Sequence, residues 1–259
     1  MKQESKNTTV AEAKKNLPST EVLDFSADAG AGLENADKDS FALPFIVILQ
    51  GLSPQMETVE GAKLGDFINT ITNKLSRDVS VVPVAFQRRY LEWRPRDQGG
   101  GFCGSHEVAA VELDKTIKAN DKGQLTNVAG NLLKDTRIHY VLVVDEEEGT
   151  FSPAIISMSS TQIKKSKRWL SMIQNIQMKD ANGRIFNPPS FSHIYKMTSV
   201  KEENDQGKWY GFEIHNGKPV TDGVLYAAAK ALHLQVSSGL VSAGAPPEVE
   251  PASGDNDKF

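Results

Sequence analysis

The chain has 259 residues, of which 39% are hydrophobic and 24% charged, and its net charge is -4 at neutral pH. That composition is ordinary for a globular protein, and the longest apolar run, Phe45-Ile46-Val47-Ile48-Leu49, is far too short to cross a bilayer. A single cysteine, Cys103, excludes an internal disulfide and a cysteine-rich zinc site and fits a reducing cytosol; the polar opening Met1-Lys2-Gln3-Glu4 is unlike a signal peptide.

The charge is unevenly placed. Residues 1–40 hold five Lys against eight Asp and Glu, and residues 245–259 hold Lys258 against Glu248, Glu250, Asp255 and Asp257. The middle, 41–244, carries 23 basic and 21 acidic groups and is slightly positive. Residues 1–40 have few large apolar side chains and no sustained period, so they read as a disordered arm. Residues 41–240 read as one domain, and 241–259, rich in Pro, Gly and Ala, as a flexible acidic tail ending in Phe259.

Within the domain, Asp66 to Thr72 alternates and meets Asn73, the pattern of a hairpin. Val79 to Trp93 is rich in Val and aromatics and predicts a strand in which Pro83, lacking an N–H, marks a bulge or an edge. Gly99-Gly100-Gly101 then breaks the chain. Ile138 to Val144 is a continuous apolar run, expected to be central and covered on both faces, and Asp145 to Gly149 turns it into Phe151–Met158. Ser159-Ser160-Thr161-Gln162 fits a capping box ahead of a helix. Ile163, Trp169, Leu170, Met172, Ile173 and Ile176 fall on one half of its wheel, and Lys164, Lys167 and Arg168 on the other. Phe191–Val200 and Lys208–Ile214 form a third strand pair, and a last helix from about Val224 to about Val236 is capped by Asp222. The predicted fold is mostly β with helices (α+β): an antiparallel barrel resembling the oligonucleotide-binding (OB) barrel, with added helices and disordered termini.

The segment Gln87-Arg88-Arg89-Tyr90-Leu91-Glu92-Trp93-Arg94-Pro95-Arg96 carries the chemistry, with four guanidinium groups and two large aromatic rings in ten residues. Guanidinium groups pair with phosphates, and aromatic rings offer a flat surface to bases. Alternation puts Tyr90 and Trp93 on opposite faces, so one ring is core; Trp93, beside Arg94-Pro95-Arg96, is the better candidate for exposure. Lys164, Lys165, Lys167, Arg168 and Trp169 form a second cationic cluster, and Trp209 follows Lys208 in another strand. Exposure of Phe186 or Trp209 is expected if a stacking groove exists.

Catalytic patterns are missing. There is no Gly-x-x-x-x-Gly-Lys-Ser/Thr loop, and Gly99-Gly100-Gly101-Phe102-Cys103-Gly104 lacks dinucleotide-binding spacing. His106, His139, His193, His215 and His233 show no metal-ligand spacing, and Cys103 has no base near it in sequence. A non-enzyme without metal or cofactor is expected.

In layout the chain resembles the bacteriophage single-stranded DNA-binding proteins, through the basic-aromatic middle and a tail in which Glu248, Glu250, Asp255 and Asp257 precede a terminal Phe259. The resemblance implies an OB core that holds the strand, and a tail that recruits replication enzymes and competes with DNA for the groove. Lys258 stands where that family usually carries another acid. Single-stranded DNA is the expected partner, with replication or recombination proteins met through Asp255, Asp257 and Phe259. No membrane partner is expected, an oligomer is compatible with the sequence, and the host bacterial cytoplasm is the expected location. One rival is a structural or regulatory phage protein that binds other proteins. Another is a nuclease or recombinase subunit using Asp145 and Glu147 with a divalent metal.

Overall fold

A computed structural model describes residues 25–36, 40–205 and 207–247. It divides the chain into two compact units, Met1–Phe41 and Ala42–Phe259. In the first, Phe25–Asp28 forms a 3-10 turn. In chain order the second contains β1 (Ile46–Ile48), α1 (Gln55–Thr58), β2 (Phe67–Asn69), β3 (Leu75–Ser76), β4 (Asp78–Trp93) and β5 (Phe102–Glu107). There follow α2 (Val108–Leu113), β6 (Lys118–Ala119), β7 (Leu125–Thr126), β8 (Leu132–Asp145), β9 (Thr150–Ser159) and α3 (Ile163–Gln174). The last elements are β10 (Met178–Lys179), β11 (Ile185–Phe186), β12 (His193–Asn204), β13 (Gly207–Ile214), β14 (Lys218–Pro219) and α4 (Gly223–Ser237). The fold is mostly antiparallel β with helices, built on a large sheet curled into a half-barrel. Among the described residues, no helix is long and apolar enough to cross a membrane.

The centre of the sheet is the β4–β8 pair, in register from Ser80 opposite Val144 to Trp93 opposite Leu132. The unbroken apolar run of β8 is explained by its place: β4 lies along one edge, β9 along the other, and both faces are covered. Its odd residue Val141 enters a core with Met158, Trp169, Tyr195 and Met197. Its even residues Ile138, Tyr140 and Leu142 enter a second core under α4, with Leu225, Ala229 and Leu232.

Pro83 acts as the sequence predicts, because the β4–β8 register shifts between Pro83 and Ala85. The bulge also exchanges the faces of everything after it. Val79 and Val81 lie in the first core and Val82 and Val84 in the second; beyond the bulge Leu91 and Trp93, odd-numbered, face the second core. On the opposite edge of β4, β12 pairs only with 78–81 and β5 only with 89–93. In the gap between them the Val84 carbonyl accepts a hydrogen bond from His233 Nδ1 of α4 at 2.8 Å.

The small sheet β1–β2–β3 spans the two edges of the half-barrel. Phe45 bridges Ile155 of β9, whose N–H donates to the Pro44 carbonyl at 2.8 Å. Gln50, just past β1, accepts from the Tyr210 N–H and donates to the Tyr210 carbonyl of β13, both at 2.9 Å. Gly65, leading into β2, has φ +83°, and a Cβ there would meet the Tyr210 ring at 2.6 Å; this crossing therefore requires glycine. The hairpin expected at Asn73 forms, with that residue left-handed at φ 54°.

Both long helices lie where the hydrophobic pattern puts them. Asp222 caps α4 by accepting from the Val224 N–H at 2.7 Å. The capping box expected at Ser159–Gln162 does not form. Ser160 is left-handed at φ 50°, and the Gln162 side chain reaches across to β13 instead, accepting from the Phe212 N–H at 3.0 Å.

Candidate nucleic-acid interface

Two hollows sit at opposite ends of the same strands. The larger, about 740 Å³, lies at the start of β4 and the end of β8. It is lined by Lys74, Lys196 and Lys218 together with Asp78, Asp145, Glu146 and Glu147. Lys74 pairs with Asp145 at 2.8 Å, Lys196 with Asp78 at 3.2 Å, and Lys218 with Glu146. Hydrogen bonding to Lys74 holds the Asp145 carboxyl below its usual range, and bonding to Lys218 does the same for Glu146. Here each lysine is matched by an acid.

The smaller hollow, a groove of about 350 Å³, lies at the end of β4 and the start of β8. Its lining includes Phe45, Leu91, Trp93, Arg94, Arg96, Lys134, Gln162, Tyr210 and Phe212, and no Asp or Glu is among the described residues that line it. The bulge at Pro83 is what turns Leu91 and Trp93 to this side. Trp93 is half-buried, braced edge-to-face by Phe102 at 5.5 Å between centroids. Arg94 and Arg96, directly after the strand, are exposed. The chain then turns back through Gly99, left-handed at φ 97°, and the Arg94 N–H donates to the Gly101 carbonyl at 2.9 Å. Arg94 makes no ion pair among the described residues.

A carboxylate just outside the groove fixes this corner. Glu92 accepts from Asn131 Nδ2 at 2.6 Å and Asn127 Nδ2 at 2.8 Å, and its other oxygen lies 2.6 Å from His106 Nε2. The Asn131 bond is the largest influence holding the Glu92 carboxyl below its ordinary range. The Asn127–Asn131 turn leading into β8 is thereby tied to the strand that carries Trp93.

Several predicted contact residues are placed elsewhere. Tyr90 is only 7% exposed and belongs to a small core with Val111 and Leu133, so it offers no face to a base. Arg88 shares its side of the strand, stacked over the Tyr90 ring at 5.7 Å, and is gripped by Asp135 at 2.8–3.2 Å. Arg89 pairs with Glu107. These two arginines hold the sheet together, where the sequence pointed to phosphate contacts. Trp169 is fully buried, stacked on His139 at 4.6 Å and edge-on to Tyr195 at 5.8 Å; it is a core residue, as its half of the helical wheel implied.

Lys164, Lys167 and Arg168 are exposed on α3 but do not line the groove. The two basic patches meet at one junction instead. Glu202 pairs with Lys165 at 2.7 Å and accepts from Trp209 Nε1 at 2.9 Å and from Gln162 Nε2 at 3.4 Å, while Gln162 itself lines the groove. Trp209 is half-buried there. A Cβ on Gly211 would collide with the Glu202 carboxylate, so the junction depends on that glycine.

The sequence missed Phe45, Lys134, Tyr210 and Phe212 as groove residues, and the pair Pro246-Pro247 that also lines it. The approach of that segment is fixed by the Ala243 N–H donating to the Tyr140 hydroxyl at 2.8 Å. The predicted tail residues Asp255, Asp257 and Phe259 lie outside the described residues. His139 is wholly buried with Nε2 2.8 Å from Ser166 Oγ, and burial drives its pKa down to about 3. Among the described residues, no group of three His, Cys, Asp or Glu is placed to hold a metal ion.

No curated protein and no solved structure matches this chain. Over residues 12–242 it matches the family described as Pam3 phage gp34-like protein, and the chain belongs to that family of bacteriophage proteins.

Proposed function

We propose that this phage protein binds single-stranded DNA without sequence preference or catalysis, in replication or recombination within the host cytoplasm. The reading rests on one observation above others: a half-buried Trp93 beside Arg94 in a groove whose described lining contains Arg96 and Lys134 and no carboxylate. Bases stack on the ring, while the guanidinium groups at the rim meet phosphates. A groove that works by stacking favours a single strand over a duplex, whose bases are already stacked and paired. Asp255, Asp257 and Phe259 offer an apolar anchor with flanking acids to replication or recombination proteins.

Gel shifts with single-stranded and duplex probes at two salt concentrations test this. Single strands should bind more tightly, with log affinity falling by about 0.7 per contacted phosphate for each log unit of salt. Equal affinity for duplex, or no salt dependence, sinks the reading. Pro246-Pro247 in a ring-lined groove favours a second reading, in which the groove takes a proline-containing segment of another phage protein. Binding of a Pro-Pro peptide that single-stranded DNA fails to displace would select it.

A further inference from the structure

The most basic stretch of the chain is not the groove. Residues 163–187, which comprise α3 and the hairpin β10–β11, hold six Lys and Arg and a single acid, Asp180, in a protein of net charge -4. Among them, Lys165 pairs with Glu202 and Arg184 with Asp180. Lys167, Arg168 and Lys179 stand exposed.

The hairpin at the end of this stretch is built rigidly yet shows apolar side chains to solvent. Met178 pairs with Phe186, so these two share one face, and they are 40% and 43% exposed. Its turn is locked by Asp180 Oδ1, which accepts from the Asn182 N–H at 2.8 Å and the Arg184 N–H at 2.9 Å. Its base is locked by Asn187, which donates Nδ2 to the Gln174 carbonyl at 2.7 Å and the Ile176 carbonyl at 3.0 Å, tying the hairpin to the C-terminal end of α3. A fixed Met–Phe pair beside surplus positive charge suits bases on a phosphate backbone better than an apolar protein surface.

We infer that the outer face of α3 and the hairpin β10–β11 form a second track for single-stranded nucleic acid, with Phe186 and Met178 as its stacking platform. This rests on the groove reading and extends it. The strand leaves the groove at Gln162, passes Trp209 and the Glu202 junction, follows Lys167 and Arg168, and ends on the hairpin. The 12 residues of α3 span roughly 18 Å, so only an oligonucleotide longer than the groove reaches the platform.

The test uses the full chain with d(T)4 and d(T)16, near the two ends of the site sizes of about 4–16 nucleotides known for OB-type grooves. Three variants are compared, Phe186→Ser, Lys167→Glu/Arg168→Glu and Trp93→Ala, each first shown to melt like the parent. The track predicts that the first two weaken d(T)16 by roughly 5-fold or more, the loss of about one stacked base or its phosphate contacts, and leave d(T)4 unchanged. Trp93→Ala should weaken both lengths. If Phe186→Ser and Lys167→Glu/Arg168→Glu leave d(T)16 unchanged while Trp93→Ala weakens both, the track is wrong and the groove stands. If Trp93→Ala changes neither, the groove reading falls, and the track falls with it as its continuation.

Discussion

The two ends of the β4–β8 pair carry the same residue types arranged to opposite effect. At one end Lys74, Lys196 and Lys218 each face a carboxylate across a cavity of about 740 Å³. At the other, Arg94, Arg96 and Lys134 share a groove of about 350 Å³ with Trp93 and with no described carboxylate. The larger hollow is thus the weaker candidate. Size does not make a ligand site; a cation set beside a ring, with no acid in the wall, gives a phosphate and a base something to do. The charged pairs at the first end hold loops together, and being solvent-accessible they contribute little to stability.

That contrast can be broken by substitution. The largest effect concerns the frame rather than either hollow. Trp169→Ala empties the space between His139 and Tyr195 and should cost about 3–5 kcal/mol in chemical denaturation. A loss under about 1 kcal/mol would mean that the ring is not core. Next, Trp93→Ala should weaken single-stranded DNA by roughly 5- to 150-fold, as read by fluorescence anisotropy. Arg94→Glu should reduce the slope of log affinity against log salt by about 0.7 or more. Lys218→Ala, at the other end, should leave DNA affinity unchanged and alter stability by no more than about 1 kcal/mol. Equal losses from Lys218→Ala and Arg94→Glu would erase the distinction between the two ends.

A pH dependence follows from the frame. Burial lowers the His139 pKa from 6.5 to about 3, so the folded state holds this ring neutral while the unfolded chain protonates it readily. The stabilisation is complete above pH 6.5 and declines as pH falls from 6.5 toward about 3. Thermal melts between pH 6.5 and about 5 should therefore show falling stability, and His139→Gln should flatten that decline. An unchanged decline in the variant would assign it to other groups.

Much of the frame was legible because it depends on local pattern. The apolar run of β8, the bulge at Pro83, the hairpin at Asn73 and the Asp222 cap each follow from a few adjacent residues. The site was legible only in part. Alternation separates Tyr90 from Trp93, and of the two Tyr90 is buried in a core while Trp93 is half-buried. What one strand cannot reveal is its distant partners: Asp135, 47 residues from Arg88, and Glu107 decide that two of the four arginines are structural. Gln162 looked like a capping residue, but its partners Phe212 and Glu202 lie in other strands. Also missed was one turn design used three times, at Asn120, Asn127 and Asp180. In each turn a side-chain oxygen accepts from N–H groups two and four residues on, with a glycine at the third position.

The most direct measurement is tryptophan fluorescence of a Trp209→Phe protein titrated with oligo-dT, since only Trp93 and the sealed Trp169 then remain. Quenching at low salt that reverses as salt is added is the predicted result. A titration in which the oligonucleotide binds yet the emission stays constant would place the strand away from Trp93 and contradict the account.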